Sequence, residues 1–268
     1  MNGAAVNIHP LYLLLGYLLL IFPVSFFLIF KIRLLKTLTV SLLRMTLQLL
    51  FVGVYLQVVF DLNTWWLNIV WLMVMVFAAD ISLITSAGFR WRRFLFPLFL
   101  SLLVGTVIPL LYFLGVIVRL PDVLDARYLI PVAGMIMGNS LRADIIGLKS
   151  FYTSIRSDEK TYSTYLSQGA THREALLPYL RDAYTAALSA TLATMATVGL
   201  VSLPGMMTGI ILGGTDPFIA IKYQIAIMIA IFSGTALTVM GAILLTVRFS
   251  FNRFGVLNRD IFSGSNLD

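Results

Sequence analysis

Long runs without charge dominate the chain. Residues 11–30 and 94–118 contain no Lys, Arg, Asp or Glu. About 20 consecutive apolar residues cross the hydrocarbon of a bilayer as a helix. Seven segments meet that description: 11–30, 39–60, 65–87, 94–118, 128–148, 186–213 and 218–247. An outer-membrane barrel would instead show short segments of alternating polarity. With 59% hydrophobic and 12% charged residues, against about 25% charged in soluble domains, the composition excludes soluble enzymes, disordered tails and nucleic-acid modules. The fold class expected is all-α, a polytopic membrane protein with seven transmembrane helices.

The basic residues orient these spans. Lys31, Arg33 and Lys36 follow the first, and Arg90, Arg92 and Arg93 the third. Lys149, Arg156, Lys160, Arg173 and Arg181 follow the fifth, and Arg248, Arg253 and Arg259 the seventh. Only Arg119 and Arg127 fall in loops on the opposite side. Lys and Arg gather on cytoplasmic loops, so the N-terminus is expected outside and the C-terminus inside. The net charge of +7 then reflects topology, not nucleic-acid binding. The lead 1–10 carries no Lys or Arg, unlike a secretory signal, and the first span is read as retained. There is no Cys, which removes disulfides and thiolate chemistry. Of the two His, His9 precedes the first span and His172 lies in a polar segment.

That polar segment, 149–183, is the longest loop on either side. Ser157 is expected to cap a helix opening with Asp158 and Glu159, whose charges suit a helix N-terminus. Tyr162, Tyr165 and Leu166 share one face by spacing, and Gly169 supplies a stop. Thr171 and Glu174 have the spacing of a capping box, in which each reaches the other's backbone amide. A short amphipathic helix carrying Leu176, Leu177 and Leu180 should follow. Such an element either lies on the lipid surface or docks a cytoplasmic partner.

The residues 166–178, Leu166-Ser-Gln-Gly-Ala-Thr-His-Arg-Glu-Ala-Leu-Leu-Pro178, resemble the EAA-type loop of ABC-transporter permeases, without its leading Glu-Ala-Ala. Three further stretches are similar to the FetB-like permeases. They are 197–209 (Thr197 to Gly209), 130–140 (Ile130 to Ser140), and Asp216-Pro217 with Ile221-Lys222-Tyr223-Gln224. The resemblance covers roughly 128–247 and implies the membrane subunit of an ABC exporter, linked to iron in bacteria and to aluminium tolerance in plants. It implies a single permease domain over 1–268 in the inner or plasma membrane. It implies also that Gly169, Ala170, Thr171, Glu174, Leu176, Leu177 and Pro178 couple to a cytoplasmic ATP-binding subunit. ATP and Mg would reside on that partner, and the chain would form a homodimer. The sequence agrees that the ATPase is elsewhere. A phosphate loop reads Gly-x-x-x-x-Gly-Lys-[Ser/Thr], and the nearest approach, Gly147-Leu-Lys149-Ser150, lacks the Gly before Lys149. No catalytic residues and no cofactor of its own are expected.

Within the sixth span, Gly199, Ser202, Pro204, Gly205, Met206 and Met207 interrupt the helix. Proline removes a backbone donor, and a broken helix in a membrane marks either a packing kink or a transport site. The pathway is the reading favoured here, with Asn139 added from the 130–140 motif. Gly134 and Gly138, and Gly209 and Gly213, have the four-residue spacing of close helix packing. Charges within spans seek partners. Arg44, with Gln48 one turn on, and Asp80 fall at similar depth on neighbouring spans, so a polar pair is expected. Arg142 and Asp144 point to an inner vestibule, and Lys222 can snorkel to the outer headgroups.

No metal ligands are assigned. The spans hold only two acids and no His, and Met135, Met137, Met206 and Met207 more often fill gaps than bind ions. A weakly bound or chelated ion remains compatible with conduction. Seven spans with an outside N-terminus also suit a retinal protein, but Lys222 is too superficial for a Schiff base. A stand-alone channel or carrier is the competing reading, separated from the permease by its lack of an ATPase partner.

Overall fold

A computed structural model describes residues 8–252 and 255–261; residues 1–7 of the polar lead and Arg253 lie outside them. Helix α1 (Pro10–Gly16) passes through a tight turn into α2 (Ile21–Ile29). Then come α3 (Leu35–Leu62), α4 (Trp65–Ala87) and α5 (Trp91–Tyr112), the last prolonged by a wider π turn over Phe113–Ile117. Helix α6 (Ala126–Ser157) leads to α7 (Glu159–Ser167), α8 (His172–Thr197), α9 (Gly205–Leu212) and α10 (Pro217–Ser250). Two isolated bridges, Val198 with Ser202 and Phe251 with Leu257, are all the β pairing among the described residues. The fold is all-α.

Six of these segments are long and apolar enough to cross a membrane: α1 with α2, α3, α4, α5 with its π turn, α6 and α10. The chain is a multi-pass membrane protein. The stretch 186–213 differs from a single span. Its first part belongs to α8, which begins at His172 and absorbs the short amphipathic helix expected separately. The helix stops at Thr197, Gly199 turns the chain with φ +90°, and Pro204 opens α9. Gly tolerates this left-handed backbone where other residues are strained.

Caps fix the other starts. The Asp216 carboxylate accepts the Phe218 amide at 2.7 Å, with Pro217 at the first helical position, where its missing N–H costs nothing. Asp125 accepts the Arg127 amide at 2.9 Å to open α6. The turn before α4 is tied to that same place: Asn63 Oδ1 accepts the Ala126 amide (3.0 Å), and Asn68 Nδ2 donates to the Leu124 carbonyl (2.7 Å).

Helix α10 is the centre of the bundle, packed against α5, α6 and α8, while α4 closes against α5 and α6. Leu98, Leu102, Ile136, Val239 and Ile243 are fully buried there. Backbones approach most closely at Gly105, Gly234 and Gly241. A β-carbon on Gly234 would lie 2.6 Å from Ile136 Cγ2 and 2.9 Å from the Gly105 carbonyl oxygen, and one on Gly241 2.6 Å from Ser101 Oγ. This corrects the expected packing set. Gly138 and Gly209 face open space, Gly213 meets only its own helix, and Gly134 has Met75 at an ordinary 3.5 Å.

Helices α1, α2 and most of α3 stand on the outside. They bury only Val59, which packs with Ala126 and Ile130, beside a Tyr55–Trp71 stack with centroids 3.8 Å apart. In a bilayer their apolar surfaces meet lipid.

Near the C-terminal ends of α6 and α10, Tyr152 donates to Thr246 Oγ1 and lies 2.8 Å from Ser250 Oγ. Phe89, Phe94 and Phe151 surround it edge-on at 5.1–6.0 Å between centroids. Thr246 and Ser250 keep helix carbonyls as acceptors, so Tyr152→Phe strands no buried donor. It should cost only about 1 kcal/mol, the net worth of a typical hydrogen bond. A thermal scan of the detergent-solubilised chain measures this as a fall of a few degrees at most.

Candidate functional site

The polar segment 149–183 is built from its caps outward. Ser157 is not a cap; it ends α6, its hydroxyl donating to the Ser154 carbonyl (3.0 Å). Asp158 takes the junction instead, and its carboxylate receives Thr161 Oγ1 (2.5 Å) and the Tyr179 hydroxyl (3.1 Å). Placement at the junction lets Asp158 tie α6, α7 and α8 together, which a cap at Ser157 could not. Of the expected apolar face, Tyr162 is buried, Leu166 half-buried and Tyr165 exposed.

Gly169 ends α7 with φ +93°, and Ala170 leads into the capping box. Glu174 Oε2 accepts the Thr171 amide at 2.8 Å and the Thr171 hydroxyl at 2.7 Å, while Thr171 Oγ1 accepts the Glu174 amide at 3.3 Å. The Thr171 hydroxyl and amide hold the Glu174 carboxyl below its usual range. Thr171, Glu174, Leu177 and Pro178 are exposed, whereas Leu176 turns inward with 7% of its surface accessible. Leu176 is thus a packing residue of this face, because the spacing of Ala175, Leu176 and Tyr179 presents one stripe to α6 and α7.

The chain beyond α10 clasps this element. Tyr162 Oη donates to the Gly255 carbonyl at 2.6 Å and lies 2.9 Å from His172 Nδ1. With its only proton given to Gly255, the phenol accepts from His172, which fixes the Nδ1–H tautomer. Burial lowers the His172 pKa. The Arg90 amide donates to the Ile261 carbonyl (3.0 Å), joining the α4–α5 turn to the same tail.

Higher in the bundle, a pocket of 90 Å³ opens between α6, α8 and α10, lined by Asn139, Arg142, Ala187, Thr191, Thr194 and Met228 among others. Asn139 Nδ2 donates to the Met135 carbonyl at 2.8 Å, leaving its Oδ1 as an acceptor. The guanidinium of Arg142 is exposed. The pocket offers weak oxygen donors and one positive charge.

The interrupted segment lies apart from that pocket. Within 198–204 the Gly199 amide donates to the Ser202 carbonyl (2.9 Å), and Leu200 and Val201 project with 91% and 80% of their surface accessible. Ser202 and Gly205 are exposed, Pro204 and Met206 half-buried, and Met207 buried. Asn139 therefore joins α8, not the Gly199–Met207 group.

The expected pair of Arg44 and Asp80 is not formed. Asp80 is fully buried and neither carboxylate oxygen has a hydrogen-bond partner, while Arg44 and Gln48 are exposed on α3. Helix α3 meets the core around Val59, and its Arg44 half meets instead the turn after α1, where Tyr17 Oη lies 2.6 Å from Thr46 Oγ1. Asp144 is also fully buried, beside the Thr238 hydroxyl, which is already given to the Thr235 carbonyl (3.0 Å). With Ser140 and Thr235, whose hydroxyls lie 3.5 Å apart, it makes a buried polar group between α6 and α10 that an inner-vestibule reading missed. The spacing of Ser140 and Asp144, one turn apart, was the available signal. Thr191 and Thr194, three apart on α8, were likewise legible but overlooked.

These features define a multi-pass, all-helical membrane protein with a helical cap at one end and a polar pocket between its core helices. The chain belongs to the family described as Uncharacterised protein family (UPF0014), matched over residues 10–251. The match takes in the first spans, beyond the 128–247 region where the motifs lie. Among its relatives, the UPF0014 membrane protein slr1647 of Synechocystis is 36% identical over 210 residues, 78% of this chain and 81% of that protein. Protein ALUMINUM SENSITIVE 3 of Arabidopsis thaliana is 37% identical over 194 residues, 70% of this chain and 67% of its own. The probable iron export permease protein FetB of Escherichia coli is 34% identical over 224 residues, 83% and 84% respectively. No solved structure matches the chain significantly.

Proposed function

We propose that the chain is the membrane subunit of an ABC transporter that exports iron or a related metal ion. It would work as a homodimer in the inner or plasma membrane, as one permease domain, with ATP and Mg held by a separate cytoplasmic subunit. In this reading α8 and α9 together supply the sixth of seven crossings, the N-terminus is outside and the C-terminus inside. The distribution of Lys and Arg supports that orientation.

The observation that carries the reading is the closed Thr171–Glu174 capping box. It fixes the start of a helix that runs unbroken from the exposed cytoplasmic face to the interruption at 198–204. Force applied at Glu174, Leu177 and Pro178 has a rigid route into the bundle. The name carried by the Escherichia coli relative supports the cargo. Arg142 at the polar pocket favours a metal carried with anionic ligands over a bare ion, since like charges repel.

Inside-out vesicles carrying this chain and its ATPase subunit should accumulate radiolabelled iron only with hydrolysable ATP. Accumulation without the second subunit would make the chain a stand-alone channel or carrier instead.

A further inference from the structure

At the inner end of the bundle, α8 and α10 leave a groove of 880 Å³ between them. Phe151 forms its floor, Leu176 and Leu180 one wall, Leu244 and Val247 the other. Arg173 and Arg248 also line it, each one turn or less from a wall leucine or valine. Both guanidiniums are exposed, neither has an acidic partner among the described residues, and no Asp or Glu lines the groove.

We propose that this groove holds an anionic phospholipid of the inner leaflet. Depth and charge select that occupant together. Leu244 and Val247 belong to the final turns of the apolar α10, with Arg248 in its last turn, so the walls lie at hydrocarbon level and the bases at headgroup level. A segment of a cytoplasmic protein would have to enter the hydrocarbon to fill the walls, whereas an acyl chain is already there. Two unpaired cations with no acid to repel a phosphate match an anionic headgroup, as in basic pockets on the inner side of other membrane helices. Of the exposed residues proposed to meet a partner, Leu177 lines the groove while Glu174 and Pro178 do not, so lipid binding leaves Glu174 and Pro178 open. The inference needs only the membrane placement and an inside C-terminus, and stands whether or not an ATPase binds.

Native mass spectrometry of the purified chain tests it, after reconstitution in phosphatidylcholine discs containing phosphatidylglycerol. Phosphatidylglycerol should be retained over phosphatidylcholine by on the order of tenfold, from two bases near a charged surface. The double variant Arg173→Gln/Arg248→Gln should lose that preference while keeping its melting temperature. Arg90→Gln/Arg92→Gln, at the neighbouring inner loop, should keep it. Equal retention of both lipids, or an unchanged preference in the Arg173/Arg248 variant, would overturn the proposal. So would displacement of the lipid by glycerol phosphate at equal concentration, which would make the site one for a free anion.

Discussion

Replacing Gly234 by leucine should prevent the bundle from closing. The added β-carbon alone would stand 2.9 Å from the Gly105 carbonyl oxygen, a backbone atom of α5, and 2.6 Å from Ile136 Cγ2 of α6. Overpacking a tight core costs about 1–3 kcal/mol when side chains can shift; here the obstacle on one side is a helix backbone, so the upper end or beyond applies. Size-exclusion chromatography of the detergent-solubilised variant should show the folded peak lost. Gly138→Leu, whose β-carbon meets nothing within 4 Å, should leave it in place. Equal damage from both would mean that packing at Gly234 is looser than described.

The second large effect concerns the Thr171–Glu174 cap. Glu174→Ala removes the acceptor for both the amide and the hydroxyl of Thr171, freeing two donors at the start of α8. Because the residue is on the surface, the chain should still fold. Under the proposed function, ATP-driven transport in vesicles with an ATPase subunit present should fall on the order of tenfold, as the proposed docking turn frays. Gly169→Val should abolish it, since a β-branched residue is strongly strained at φ +93°. Glu174→Gln, which can still accept the Thr171 amide, should recover much of the loss. Full transport by Glu174→Ala would sink the idea that this turn transmits work.

Features set by neighbouring residues were legible in the sequence. Helix α4 begins and ends where its apolar run does, at Trp65 and Ala87, and the Thr171–Glu174 box formed as spaced because both partners lie within one turn. The interruption after Thr197 followed from Gly199 and Pro204 for the same reason. What failed depended on direction around a helix. Depth placed Arg44 and Asp80 level, but depth says nothing about azimuth, and α3 reaches the core only near its other end. Glycine spacing pointed to Gly134–Gly138 and Gly209–Gly213, whereas the close contacts fell at Gly105, Gly234 and Gly241, which pair across helices and leave no spacing signature. Pro178 sits inside α8; at an exposed position, the carbonyl it leaves free can be hydrated.

Helix α8 has no glycine along its 26 residues and is bounded by Gly169 and Gly199, with φ of +93° and +90°. It is in effect a crank held between two swivels, roughly 39 Å long at 1.5 Å per residue. A swing of about 5° about the Gly169 pivot carries the Thr197 end by ~3 Å, comparable to the diameter of a water molecule or a small ion. A slight movement of the cap thus arrives at the far end as a shift that, under the proposed function, is large enough to open or shut a path for an ion.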